Sequence, residues 1–210
     1  MKEKHAHHNN PLTKEEKNEM IRKAAEKYAE FMTALDIDYA NDPNSADTPM
    51  RVAKSFVNDL IKGRYQEELK ITSFENIEKY DGLVFQGNIN MKSMCSHHHL
   101  AFAGVVHIAY IPAPDGRIIG LSKLNRIVEY YSRRPQVQEN LTQQISAHVD
   151  KVCEGNLGVA VSVEAQHTCC SHRGIKHEST MKTSKLTGVF LDNENLARAE
   201  FQHFIDTLKK

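Results

Sequence analysis

The chain reads as an α+β protein built on a mostly antiparallel sheet. Two patterns carry that reading. Apolar residues recur at helical spacing near the N-terminus, in two adjacent central segments and at the C-terminus. The segments flanking the central pair alternate at strand spacing and come in pairs joined by turns. Size agrees: 210 residues with 40% apolar side chains suffice for a domain with an appendage, and are too apolar for a disordered chain.

Residues 1–12 read as a mobile polar tail broken at Asn9-Asn10-Pro11, in which His5, His7 and His8 could bind metal only loosely. Thr13-Lys14-Glu15-Glu16 is a capping box opening a helix whose apolar stripe is Ile21, Ala24, Tyr28, Phe31 and Leu35. A polar loop from Asp36 to Asp47 follows. Thr48-Pro49 starts a second helix carrying Val52, Phe56 and Leu60, with Gly63 as its stop. Strands are expected over Leu83–Asn90 and Leu100–Pro112, then Arg117–Leu121 after the turn Pro114-Asp115-Gly116. Two helices, Ser122–Ser132 and Pro135–Cys153, are separated at Arg134-Pro135. A strand from Leu157 to His167 puts Val159, Val161 and Val163 on one face. A last strand, Met181–Leu191, precedes a closing helix over Asn193–Leu208.

Charge narrows the function classes. Lysine plus arginine and aspartate plus glutamate number 27 each, which disfavours a generally basic nucleic-acid binder and an acidic tail protein. No apolar run approaches a membrane span, and the first residues lack a signal-peptide pattern, so a cytoplasmic location is expected. Four cysteines, two of them adjacent, do not make a disulfide framework. Twelve histidines are the unusual entry in the composition.

The densest chemical cluster is Cys95-Ser96-His97-His98-His99, where Cys-x-x-His can share one ion. Three consecutive histidines could equally be surface residues, but a second cluster, His167-Thr168-Cys169-Cys170, strengthens the metal reading. On a continuing strand His167 and Cys169 would point together and Cys170 away. Cys170 and Cys153 are expected as small buried hydrophobes, and His99 as a strand residue. Cys95, His98 and Cys169 would give zinc three ligands and leave a fourth position open, as in catalytic sites. His97 and His167 would then be free imidazoles placed to move protons.

A second constellation is basic. Gly120-Leu121-Ser122-Lys123-Leu124-Asn125-Arg126 joins a strand to a helix, with Ser122 as N-cap and Lys123 and Arg126 in the first turn. Cations there oppose the helix dipole, which makes sense if an anion binds at that terminus; solvated surface residues are the plainer alternative. Arg173 and Lys176 follow Cys169, and Arg51 and Lys54 share a face of the second helix. No phosphate loop is present, so scattered basic side chains would have to hold a triphosphate. Glu139 is either a surface carboxylate at a helix start or an acceptor for guanine's N1–H and 2-amino group.

Several motifs in order resemble GTP cyclohydrolase I: Met94-Cys95-x-His97-His98, Gly120-Leu121-Ser122-Lys123-x-x-Arg126, Arg134-Pro135-Gln136-Val137-Gln138-Glu139 and His167-x-Cys169-x-x-x-Arg173-Gly174. Asp47-Thr48-Pro49-Met50-Arg51 and Ser179-x-x-x-Thr183-Ser184-x-x-x-Gly188-Val189-Phe190 agree as well. The resemblance runs from about residue 15 to the C-terminus. It implies conversion of GTP and water into formate and 7,8-dihydroneopterin triphosphate, the first step of pterin and folate biosynthesis. It implies zinc on Cys95, His98 and Cys169; proton transfer by His97 and His167; and Ser122 near the sugar. Lys123, Arg126, Arg173, Arg51 and Lys54 would hold the triphosphate, and Gln138 and Glu139 would read guanine.

The implied architecture is the tunnelling fold, an antiparallel four-stranded sheet backed by two long helices. It would occupy residues 81–210, after an N-terminal helical region over 13–80. The implied assembly is a homodecamer of two stacked pentamers with active sites between subunits, so that Arg51 would serve a neighbour's site. Two departures stand out: the family's usual glutamate after the first cysteine is Ser96 here, and its proline after the histidines is replaced within Leu100-Ala101-Phe102. Ser96 removes a carboxylate beside a metal ligand, which bears on how that ligand is oriented. Rival readings are another tunnelling-fold enzyme acting on a pterin or deazapurine, and a zinc-stabilised module that binds GTP without hydrolysing it. A nucleobase deaminase lacks its H-x-E and P-C-x-x-C signature here.

Overall fold

The computed structural model describes residues 5–192 and 196–208. The chain divides into two compact units, Met1–Glu68 and Leu69–Lys210.

In the first unit, α1 (Lys14–Ala34) starts at the expected capping box, in which the Thr13 hydroxyl and the Glu16 carboxylate each accept from the other's backbone N–H. Its buried residues are Ile21, Ala25 and Met32, while Phe31 and Leu35 are more than half exposed. At 3.6 residues per turn Phe31 lies about 80° round the helix from Ile21, outside the face that meets the second helix. That helix, α2 (Thr48–Ser55), begins with Pro49 in its first turn and packs on α1 through Ala53. It runs past Ser55 as a π-helical turn (Phe56–Leu60) and a 3₁₀ turn (Lys62–Tyr65), so Gly63 lies inside a turn instead of ending a helix. Residues 5–12 are tied to this unit: one Arg64 nitrogen donates to the carbonyls of His5, Ala6 and His8, and the Asn10 amide donates to Arg64 O at 2.7 Å.

The second unit runs β1 (Ser73–Glu75), β2 (Val84–Cys95), β3 (Ala101–Pro112), β4 (Arg117–Ile119), α3 (Leu121–Ser132), β5 (Pro135–Gln136), α4 (Gln138–Val152), β6 (Asn156–His167), α5 (Thr168–Ser171), β7 (Thr180–Leu186) and α6 (Leu196–Thr207). It begins before residue 80 because β1 pairs antiparallel with β4. The main sheet has the order β5-β2-β3-β6-β7, antiparallel throughout except for the two-residue β5, which pairs parallel to β2. This is the expected mixed α+β class.

Helices α3 and α4 cover one face of the sheet, where Ile127, Leu141, Ile145 and Val149 meet Val106, Ile108, Val159, Val161 and Val163. The other face carries Ala109 and Ala160 against Phe201 and Ile205 of α6. Around Ala109 and Ala160 the central strands are therefore apolar on both sides, with these small residues facing α6. Gly104 permits close β3–β6 approach, since a Cβ there would collide with the Glu164 carbonyl. Several boundaries shift from the expected ones. The strand after Ser179 ends at Leu186 and passes into a 3₁₀ turn (Gly188–Phe190), and residues 193–195 of the closing helix lie outside the described residues.

Candidate metal and nucleotide site

The site forms where β2, β3, β5 and β6 end together. Strand β2 runs five residues past the expected Asn90, because Ile89, Met91 and Ser93 keep alternating inward, and so it delivers Cys95 at its tip. Ser96, His97 and His98 form the turn into β3. It is closed by Cys95 N donating to Leu100 O at 2.8 Å and His99 N donating to Cys95 O at 2.9 Å. His99 stands at φ 53° in this loop and is neither a strand residue nor a member of the metal-ligating group.

Strand β6 ends at His167, not beyond it. Thr168 to Ser171 form a single helical turn, and the Thr168 hydroxyl donates to Ala101 O at 2.6 Å. His167 and Cys169 therefore do not share a strand face, contrary to expectation. Cys169 reaches the site because the chain turns back there, and Cys170 is exposed instead of buried. Cys153 is buried as expected, and burial, then the nearby Asp150 carboxylate, pushes its thiol up to about 12, an unreactive packing residue.

One ligand atom each from Cys95, His98 and Cys169 lie within 4.8 Å of one another. Cys95 Sγ to His98 Nδ1 is 4.0 Å, against about 3.5 Å for the edge of a tetrahedral zinc site, so small side-chain rotations would complete the geometry. Two thiols and an imidazole form a soft to borderline donor set that suits zinc. Burial, then the adjacent Cys95 thiol, raises the Cys169 pKa, as expected of a pair of thiols that a cation would deprotonate together. His97 Nδ1 lies 3.7 Å from Cys95 Sγ, beside the group but outside the converging three.

His167 is half-buried and stacks on Phe102, with ring centroids 4.4 Å apart and 3° between planes. Burial lowers its pKa, opposed in part by the Glu139 carboxylate, so the ring favours its neutral form near neutrality. Its Nε2 lies 2.8 Å from Gln138 Oε1.

The segment Arg134 to Glu139 reaches the metal group through β5. Met94 and Cys95 pair with Pro135 and Gln136, and Ser96 N donates to Gln136 O at 2.9 Å. Arg134 is buried, with its guanidinium 4.3 Å from the Tyr130 ring centroid and 4.9 Å from that of Tyr131. Helix α4 starts at Gln138, not Pro135, which places Gln138 in the interior and Glu139 exposed in the first turn. The Gln138 amide is committed within the protein, to His167, Val163, Met181 and Thr183.

The GTP cyclohydrolase I family model matches residues 24–206. The chain belongs to the GTP cyclohydrolase I family. A protein named GTP cyclohydrolase 1 from Flavobacterium johnsoniae is 42% identical over 92% of this chain and 84% of its own length. Proteins of that name from Aeromonas hydrophila (40% identity, 81% of this chain, 77% of theirs) and a Sulfurihydrogenibium species (43%, 80% and 88%) are similar too.

The basic residues expected of a GTP cyclohydrolase I family member lie on three segments. Helix α3 is capped by Gly120, whose side chain offers nothing, so Ser122 and Lys123 are the second and third helical residues and Arg126 falls in the second turn. This corrects Ser122 as N-cap. Ser122 and Arg126 are exposed and Lys123 half-buried. Arg173 is exposed in the loop after α5. Arg51 and Lys54 are exposed on α2, where Arg51 also reaches Asp47 at 3.3 Å. Among the described residues no helix is long and apolar enough to cross a membrane.

Phe102 and Thr168 are the site residues that sequence reading missed. Phe102 looked like any apolar residue entering a strand, and Thr168 like a spacer between two ligands. The β3–β6 register sets Phe102 opposite His167, and the turn after His167 brings the Thr168 hydroxyl to Ala101.

Proposed function

We propose that the protein carries out zinc-dependent hydrolysis and ring rearrangement of GTP, giving 7,8-dihydroneopterin triphosphate and formate at the start of pterin and folate biosynthesis. The observation that carries this reading is the convergence of Cys95, His98 and Cys169 beside His97, with His167 two residues before Cys169, in a chain of the GTP cyclohydrolase I family.

Cys95, His98 and Cys169 would hold the zinc. Bound there, zinc supplies a Lewis acid that makes water nucleophilic near neutral pH. Water adds at C8 of the purine, and the imidazole ring resists that addition until N7 is protonated. His167 and His97 supply and recover protons at N7 and around the ribose. Opening the ring gives a formamide, a second hydrolytic event releases formate, and the rearranged ribose carbons close the pyrazine ring with Ser122 beside the sugar. Glu139, exposed at the start of α4, accepts from guanine N1–H and the 2-amino group, which adenine does not offer. Lys123, Arg126 and Arg173 hold the triphosphate, and Arg51, with Lys54 on the same helix, serves a neighbouring subunit's site. This set of cations on separate segments suits a protein of zero net charge.

The tunnelling fold and a decamer of stacked pentamers complete the reading, in the cytoplasm, with no nucleic acid or membrane partner. Strand β7 lies at one edge of the sheet and the two-residue β5 at the other, which suits a sheet continued by neighbouring subunits. Exposed Phe31, Leu35 and Ile37 are apolar enough to be covered in such an assembly.

The test is to incubate purified, zinc-loaded protein with GTP. One formate per fluorescent pterin (read after oxidation) supports the reading. Tight GTP binding without formate would favour a binding module instead.

A further inference from the structure

We propose that Gln138 is the positioning residue for His167: it holds the imidazole with Nε2 as its N–H nitrogen, so that proton exchange at this ring runs through Nδ1. The inference rests on the reading of His167 as a proton-transfer group and deepens it to the level of a single atom.

Gln138 is 1% exposed, and its side-chain nitrogen lies 3.1 Å from Val163 O, 3.1 Å from Met181 O and 3.2 Å from Thr183 Oγ1. Two of these partners are main-chain carbonyls, which only accept. The group facing them must therefore be the NH₂, because an amide flip would set carbonyl against carbonyl in the interior.

The threonines agree with this orientation. Thr142 Oγ1 donates its one proton to Gln138 O at 2.8 Å, so the 2.6 Å contact between the Thr142 and Thr183 hydroxyls is donated by Thr183. Thr183 then has lone pairs, and no proton, to offer the Gln138 amide. With the NH₂ fixed, Gln138 Oε1 is what faces His167 Nε2 at 2.8 Å, and an amide oxygen can only accept. Nε2 must carry the hydrogen.

The ring cannot evade this by turning. Phe102 lies parallel to it at 4.4 Å and sets its plane. A half-turn within that plane would bring a ring carbon to Oε1 and forfeit the bond. A neutral imidazole has one N–H, so the lone pair is on Nδ1. That nitrogen can gain and return a proton without disturbing the Gln138 contact. The same hydrogen bonds take the Gln138 side chain away from the guanine edge and leave that task to Glu139.

The experiment uses the full chain labelled with ¹⁵N-histidine. A two-bond ¹H–¹⁵N spectrum is recorded where His167 is neutral, with its signals assigned by their loss in His167→Asn. The proposal expects a protonated Nε2 and a bare Nδ1; a protonated Nδ1, or an even mixture, overturns it. Kinetics supply the second arm. Gln138→Leu should lower kcat for GTP about 10–100-fold, the size usual for losing the partner that orients a site histidine, with KM within about twofold. An unchanged kcat, or a loss confined to KM as for a guanine reader, overturns it. If the leucine variant does not fold, the wild-type spectrum still decides. If wild-type protein does not turn over GTP, the cyclohydrolase reading falls, while the spectrum still decides the Gln138–His167 assignment.

Discussion

Phe102 and His167 face each other across β3 and β6, and their rings stack in parallel 4.4 Å apart. One residue pair thus links the sheet register to the chemistry: a slip of β6 by one residue would turn His167 to the opposite face. Phe102 is fully buried. Phe102→Ala should cost about 3–5 kcal/mol of stability in denaturant unfolding. The milder Phe102→Leu should keep the fold and the bound metal yet lower turnover, because the flat surface behind the imidazole is gone. Equal turnover in that variant would make the stack purely structural.

The metal assignment predicts different fates for two adjacent cysteines. Cys169→Ser should reduce bound zinc from one per chain to near none after dialysis, whereas Cys170→Ser should keep it, since Cys170 is exposed and outside the converging group. Metal analysis of the two variants checks this. Zinc lost with Cys170 and retained without Cys169 would reverse the assignment.

That contrast shows what was legible in the sequence. The ligand types and their order were, because Cys-x-x-His and His-x-Cys are local patterns. The geometry bringing them together was not: strand alternation beyond His167 led to Cys169 by a false route, since the chain turns helical at Thr168. Alternation did reveal Val159, Val161 and Val163 as one buried face, which depends only on the strand's own period. It stopped β2 too early, because Asn90 and Lys92 look like loop residues until the buried Met91 and Ser93 that alternate with them are seen. Ser122 resembled a cap by residue type, yet the helix begins one residue earlier at Leu121. The family resemblance paired Gln138 with Glu139 as a reader of guanine, whereas the structure buries the Gln138 side chain. Its burial depends on β7, more than 40 residues downstream, which no local pattern reports.

Glu139 should be the discriminating residue for the base. Glu139→Gln keeps the shape but replaces the charged acceptor, and should lower kcat/KM for GTP about 10–100-fold, the range of a hydrogen bond to a charged group. The preference for GTP over ATP should shrink by a similar factor. Steady-state kinetics with both nucleotides checks this, and an unchanged preference would remove Glu139 from base recognition.

The N-terminal unit carries a prediction of its own. Thr13→Ala removes the capping hydroxyl of α1 and should cost about 1 kcal/mol in unfolding. Hydrogen bonds from the Thr13 backbone, then from its side chain, lower the Glu16 pKa. A depressed carboxylate stabilises the fold above its unfolded pKa, and that contribution disappears as pH falls through the folded value. The protection factors of the first-turn amides of α1, with intrinsic exchange divided out, should therefore fall in acid, and Glu16→Gln should blunt the effect.

The most direct test of the central claim is GTP turnover measured on one preparation before chelation, after removal of metal, and after zinc is restored. Formate release should fall to background when zinc is removed and recover when one equivalent per chain is returned, with Cys169→Ser inactive throughout. Full turnover by metal-free protein, or by the Cys169→Ser variant, would contradict it.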